Sequence, residues 1–166
     1  MAHHKTEKNL AEAFAGESQA NRKYLAFAKK ADEEGYKMAA KLFRAAADAE
    51  TVHAHNHLQA MGGIKSTKEN LEAAVSGETF EFEDMYPKMI EEAKEENQTE
   101  ARISFNYANK VEAIHADLYQ KYLDNLGSNE EAAIFVCQVC GNTVEGQAPD
   151  KCPVCGNPRE VFDEIK

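Results

Sequence analysis

From residue 6 to about residue 126, apolar side chains return every three or four positions against a background of alanine, glutamate, lysine and leucine, and proline is nearly absent. That period belongs to amphipathic helices, not strands. Breaks at Gly35, at Gly62-Gly63, near Asn97 and at Gly127-Ser128 divide the stretch. Four helices are predicted, over about 6–34, 36–61, 66–96 and 98–126. Pro87 falls inside the third, and because the period resumes at Met89 and Ile90 it is expected to kink that helix rather than end it. Beyond residue 131 the period disappears. Alanine thins out while glycine, proline, valine and cysteine gather, which predicts short strands and turns. The chain therefore reads as a helical domain, 1–128, and a small one, 132–166.

The second pair of helices repeats the first. Leu10-Ala-Glu-Ala-Phe-Ala-Gly16-Glu17-Ser18 aligns with Leu71-Glu-Ala-Ala-Val-Ser-Gly77-Glu78-Thr79 at an offset of 61 residues. Glu33-Glu34-Gly35 aligns with Glu95-Glu96-Asn97, Phe43 with Phe105, and Glu50-x-x-His53 with Glu112-x-x-His115 at an offset of 62. Helical composition alone would not keep Gly-Glu, the turn and Glu-x-x-His in step. A duplicated helical hairpin with pseudo-two-fold symmetry is expected.

The repeat places its chemistry on apolar faces. Residues three apart share a helix face, so Glu50 with His53 and Glu112 with His115 can each reach one interior point. Glu17 and Glu78 add a carboxylate from each remaining helix. Phe14, Glu17, Tyr24 and Phe27 lie on one stripe, as do Phe43, Glu50, His53 and His57, and Phe105, Glu112, His115, Tyr119 and Tyr122. Carboxylates on aromatic stripes are costly unless they bind something. Four glutamates and two histidines are the donor set of ferritin-like di-iron or di-manganese bundles. Bridging carboxylates hold two ions together, and one imidazole per ion leaves a position for an oxygen ligand. His55 points off the stripe and is expected to be exposed. His57 is expected to pack, since Tyr119 holds its place in the other repeat.

The four cysteines, Cys137, Cys140, Cys152 and Cys155, form two Cys-x-x-Cys pairs with eleven residues between them, and the first 136 residues have none. Clustered pairs read as ligands to one tetrahedral ion rather than as a disulfide framework. By spacing alone, a structural zinc and a single iron fit equally. Glycine after each pair frees amides to bond the sulfurs, which tunes an iron centre. Attachment to a redox-active bundle favours iron, and a domain this small relies on such a staple. A net charge of −10 argues against nucleic acid. No apolar run approaches a membrane span and no secretory signal is evident, so a cytoplasmic protein is expected. His3 and His4 read as an exposed chain end.

At these motifs the chain resembles the rubrerythrins, ferritin-like di-iron bundles followed by a rubredoxin-like domain. The matching stretches are Ala15-Gly-Glu17-Ser-Gln-Ala, Glu50-x-x-His53, Gly77-Glu78-Thr-Phe-Glu81-Phe-x-x-Met85-Tyr86-Pro87, Glu112-x-x-His115 and the cysteine pairs. The resemblance implies an all-α ferritin-like four-helix bundle with a metal-stapled β/turn domain, holding two irons in the bundle and one among the cysteines. It implies a peroxidase that reduces hydrogen peroxide to water, refilled through the cysteine-bound iron by an external NAD(P)H-dependent reductase or rubredoxin-type donor. No nucleotide-binding Gly-x-Gly-x-x-Gly is present in this chain. It further implies that Glu81 is an alternate ligand, exchanged for His53 when the iron is reduced, and that Tyr24 and Tyr86 hydrogen-bond near the site. Two features depart from the pattern: Phe135 stands where a tryptophan is expected, and the link between the second and third helices is short.

Two rival readings are an iron-storage ferroxidase with a structural zinc knuckle, and a di-manganese catalase that leaves the cysteines without a role. The short link bears on assembly. A ferritin-like bundle has one long crossover, and a helix of this length runs roughly 42 Å. The few residues around Gly62-Gly63 span only about 20 Å even when extended. A domain-swapped homodimer is therefore expected, against the alternatives of a remodelled linker or an up-down-up-down bundle.

Overall fold

The computed structural model describes residues 3–166, with side chains from residue 5 onward, so the expected exposure of His3 and His4 lies outside the described side chains. The chain divides into two compact units, Met1–Lys65 and Ser66–Lys166.

The first unit is a helical hairpin of α1 (His3–Glu33) and α2 (Lys37–Ala60). Its seam is alanine: Ala40, Ala47 and Ala54 of α2 recur at seven-residue spacing and are buried, as are Ala28 and Ala31 of α1. Small side chains let the two backbones approach closely. Asn21 then ties them together, donating to the Ala47 carbonyl at 2.7 Å and to Thr51 Oγ1 at 2.8 Å. The turn is a Schellman motif, with Gly35 at φ +83° and the Tyr36 amide bonded to the Ala31 carbonyl at 2.8 Å.

The second unit opens on a capping box at Ser66 and Glu69 and runs through α3 (Thr67–Phe80), a π turn (Glu81–Met85), α4 (Tyr86–Glu95) and α5 (Thr99–Asp124). Its turn repeats the first: Asn97 has φ +58°, and the Gln98 amide reaches the Ala93 carbonyl at 2.8 Å. Glycine in one repeat and asparagine in the other are the residues that tolerate this conformation. The predicted third helix is thus real, but its irregularity lies just before Pro87. In a regular helix the proline ring collides with the carbonyl four residues back. Here the Tyr86 amide bonds five back, to Glu81, and Pro87 follows as the second residue of α4, where the widened turn relieves that collision.

Three short strands complete this unit: β1 (Ile134–Cys137), β2 (Thr143–Glu145) and β3 (Phe162–Ile165), antiparallel in the order β2-β1-β3. Their core is Cys137, Ala148, Cys152 and Phe162, with Phe135 packed against it where a tryptophan was expected. The small domain rests on α5, through an ion pair from Lys121 to Glu145 and a 2.9 Å contact between His115 Nε2 and Thr143 Oγ1.

The ligand-bearing stripes are only partly covered. Among the described helical residues, the buried apolar side chains are alanines and Val111, while Phe27 and Tyr119 remain 47% and 38% exposed.

Candidate metal centres

Each unit assembles one carboxylate–carboxylate–imidazole triad. In the first, Glu17 of α1 meets Glu50 and His53 of α2; in the second, Glu78 of α3 meets Glu112 and His115 of α5. Within each triad one ligand atom per residue lies within 4.8 Å of the others. The i, i+3 pairs have the same geometry in both: His53 Nδ1 is 2.8 Å from Glu50 Oε2, and His115 Nδ1 is 2.7 Å from Glu112 Oε2. His115 Nδ1 also stands 3.9 Å from Glu78 Oε1.

In the second triad the carboxylates crowd one another. Burial and then the Glu112 charge push the Glu78 carboxyl above its usual range, with His115 opposing. Glu81 is raised by burial and then by Glu78, again against His115. Tyr86 is raised by burial and by Glu112, Glu81 and Glu78 in turn. Carboxylates crowded on one point around an imidazole nitrogen are a hard-oxygen and nitrogen donor set that a divalent ion would satisfy.

Glu81 feels this cluster but is not one of its three close donors. It opens the π turn, and the sequence carries a trace of that turn: the repeat offset is 61 at Glu17/Glu78 but 62 at Tyr24/Tyr86. One extra residue therefore lies between Glu78 and Tyr86, where the π turn is. A single inserted residue is what a π bulge is. The aromatic neighbours repeat as well, Tyr24 against Phe43 at 6.2 Å between ring centroids and Tyr86 against Phe105 at 6.3 Å. Tyr24 also packs on Phe27, at 6.3 Å. His55 is exposed and His57 half-buried, and neither belongs to a triad.

The four thiols converge separately. Cys137 Sγ and Cys155 Sγ are 3.7 Å apart, and Cys140 Sγ and Cys152 Sγ 3.6 Å. Sulfurs held at about 2.3 Å around a tetrahedral ion stand roughly 3.8 Å from one another, so the cradle fits one without rearrangement. Burial raises the Cys140 thiol well above its ordinary range. At Cys155 burial is outweighed by the Asn157 side chain and amide and by neighbouring thiols, which bring it down to about 6. The Asn157 side-chain Nδ2 donates to Cys155 Sγ at 3.3 Å.

One contact joins the two centres of the second unit and has no counterpart in the sequence pattern. His115 Nε2 is 2.9 Å from Thr143 Oγ1 in β2, and Thr143 donates its hydroxyl proton to the Gly141 carbonyl at 3.1 Å.

Helical hairpins bearing Glu/Glu/His triads, joined to a four-cysteine domain, define a non-haem carboxylate metalloprotein with an attached one-metal module. The family model for rubrerythrin matches residues 8–123, and that for the rubrerythrin, rubredoxin-like domain matches residues 135–163. Rubrerythrin of Porphyromonas gingivalis is 37% identical, covering 98% of this chain and 90% of its own. Rubrerythrin-2 of Clostridium acetobutylicum is 32% identical, covering 92% of each. Nigerythrin in its fully reduced, all-ferrous state superposes with a TM-score of 0.60 at 33% identity, over 96% of this chain and 86% of that one. The chain belongs to the rubrerythrin family. It carries the carboxylate-rich di-iron candidates and the four-cysteine site of that family. Among the described residues, no helix is long and apolar enough to cross a membrane.

Proposed function

We propose that this chain is a cytoplasmic peroxidase that reduces hydrogen peroxide to water, with residues 1–128 as the reacting domain and 132–166 as the electron relay. The observation that carries the reading is the pairing of two Glu/Glu/His triads with a four-thiol cradle in one chain, and with Glu81 set beside the second triad. Irons held by the triads would supply the two electrons that cleavage of a peroxide O–O bond takes, and an iron held by the four cysteines would relay their replacement one at a time from an external reductase or rubredoxin-type donor. Glu17, Glu50, His53, Glu78, Glu112 and His115 would hold the pair; Cys137, Cys140, Cys152 and Cys155 would hold the single ion. Glu81, one turn beyond Glu78, would serve as the alternate ligand exchanged for His53 when the iron is reduced, and Tyr86 would hold a phenolic proton beside the carboxylates of the second triad. Tyr24 supports the other triad from its aromatic cluster.

Assembly is proposed to be a domain-swapped homodimer. Helices whose buried apolar residues are alanines and Val111 leave Phe27, Phe80 and Tyr119 exposed, a surface that association would cover. Six residues, 61–66, join α2 to α3 and reach at most about 25 Å, whereas a helix of α2's length runs about 36 Å.

Steady-state peroxide consumption by the iron-loaded chain, with electrons supplied through a rubredoxin-type donor, tests the activity. Disproportionation to oxygen without a donor would indicate catalase chemistry, and ferric mineral without peroxide turnover would indicate storage.

A further inference from the structure

We infer that Thr143 is a positioning residue for His115, fixing that ligand's tautomer and aim from within the cysteine domain; this rests on the metal-binding reading of the triad. A threonine hydroxyl has a single proton to donate. Thr143 donates it to the Gly141 carbonyl, so toward His115 its oxygen acts as acceptor. Nε2 of His115 must then carry a proton, so with an ion held in the triad Nδ1 is the nitrogen left to ligate it; without one, the 2.7 Å contact between Nδ1 and Glu112 Oε2 is bridged by a further proton. Nδ1 is the atom that faces Glu112 and Glu78. Metal-binding histidines are oriented in this way by a hydrogen bond at the far nitrogen.

The repeat supplies an internal control. His53 occupies the equivalent place in the first triad, and its Nδ1 meets Glu50 as His115 meets Glu112. Among the described residues its Nε2 has no hydrogen-bond partner, and its side chain is 54% exposed against 27% for His115. The appended domain thus breaks the symmetry of the duplicated site at one ligand: His115 is held at both ring nitrogens, and His53 at Nδ1 alone among the described residues. The anchor also ties His115 to the peptide carbonyl that follows Cys140, so the thiol cradle and the carboxylate site share a hydrogen-bonded link through β2.

The test uses the full chain as Thr143→Val, which keeps the shape and removes the acceptor, and Thr143→Ser, which keeps the acceptor. Long-range proton–nitrogen NMR should find a protected Nε2–H on His115 in wild type and Thr143→Ser, and lose it in Thr143→Val. Cobalt titration should show one of the two bundle ions bound about 10–100-fold more weakly in Thr143→Val, with Thr143→Ser restoring it. The thiolate-to-cobalt bands of the cysteine site report that the small domain remains folded. A Thr143→Val chain with wild-type cobalt affinity and a protected Nε2–H overturns the inference, as does a Thr143→Ser chain as weak as Thr143→Val. A wild-type chain that takes up no pair of ions in the bundle overturns the metal reading itself, and the two failures are told apart in one titration.

Discussion

Glu81 follows Glu78 by three residues, yet the π turn that begins at Glu81 sets it beside the Glu78–Glu112–His115 triad as an outlying carboxylate rather than a fourth close donor. The first repeat has no such turn and no equivalent acid. Glu81→Ala should therefore leave two ions bound in the bundle while slowing the reaction with peroxide, by about 10–100-fold, the usual cost of losing a group that tunes a metal site. Iron stoichiometry and stopped-flow oxidation on one preparation separate these effects. Loss of one iron from the variant would make Glu81 a permanent ligand.

The repulsion between Glu78 and Glu112 gives a signature in the metal-free chain. Burial and the Glu112 charge raise Glu78 above its ordinary value of 4.5 in the folded protein. The folded state then holds this proton more tightly than the unfolded state does. Its contribution to stability is greatest below pH 4.5 and falls as pH rises through the folded value. Glu78→Gln mimics the protonated form at every pH. The metal-free variant should melt above wild type at pH 7 and converge with it near pH 4. Calorimetry on the two chains across that range is the check. A gap that widens toward acid would contradict the sign.

Zinc in the thiol cradle should separate chemistry from refilling. Zinc satisfies four thiolates without changing oxidation state. It keeps the cysteine domain folded, with Thr143 in place against His115. A chain with iron in the bundle and zinc among the cysteines should react with peroxide once, at the wild-type rate, and then stop. Steady-state turnover should fall to background. Unchanged turnover would mean that the cysteine domain carries no electrons.

How much of this was legible beforehand depended on whether the signal was local. Glu50-x-x-His53 and Glu112-x-x-His115 declared their geometry because an i, i+3 spacing on a helix fixes the face before anything else folds. Gly35 and Asn97 marked their turns because a left-handed residue is a local requirement. The π turn is also written in the sequence, as a change of repeat offset from 61 to 62, whereas Pro87, the residue that signals a break, lies just after it. Thr143 carried no mark of any kind. Its role depends on the cysteine domain docking on α5, and a threonine in a short strand looks like any other strand residue. The incomplete covering of Phe27 and Tyr119 was equally invisible, since an apolar stripe predicts burial without saying which surface provides it.

The swapped dimer makes the sharpest prediction about that covering surface. Each triad is built within one unit, Glu17, Glu50 and His53 in residues 1–65 and Glu78, Glu112 and His115 in residues 66–166. If the two halves of a di-iron site come from different chains, damage to one unit can be complemented by another chain. A chain carrying Glu17→Ala and Glu50→Ala should bind no iron pair as a homodimer, and neither should one carrying Glu78→Ala and Glu112→Ala. Refolded together from denaturant, they should form heterodimers in which one site draws both halves from intact units while the other site is doubly damaged. With equal mixing, half of the dimers are heterodimers, each holding one good site of two, so the mixture should recover about a quarter of wild-type iron pairs and peroxide turnover. An unswapped bundle leaves every site with one damaged half and recovers nothing. Mixing without refolding should also recover nothing at first, because exchange of a swapped hairpin requires the dimer to open.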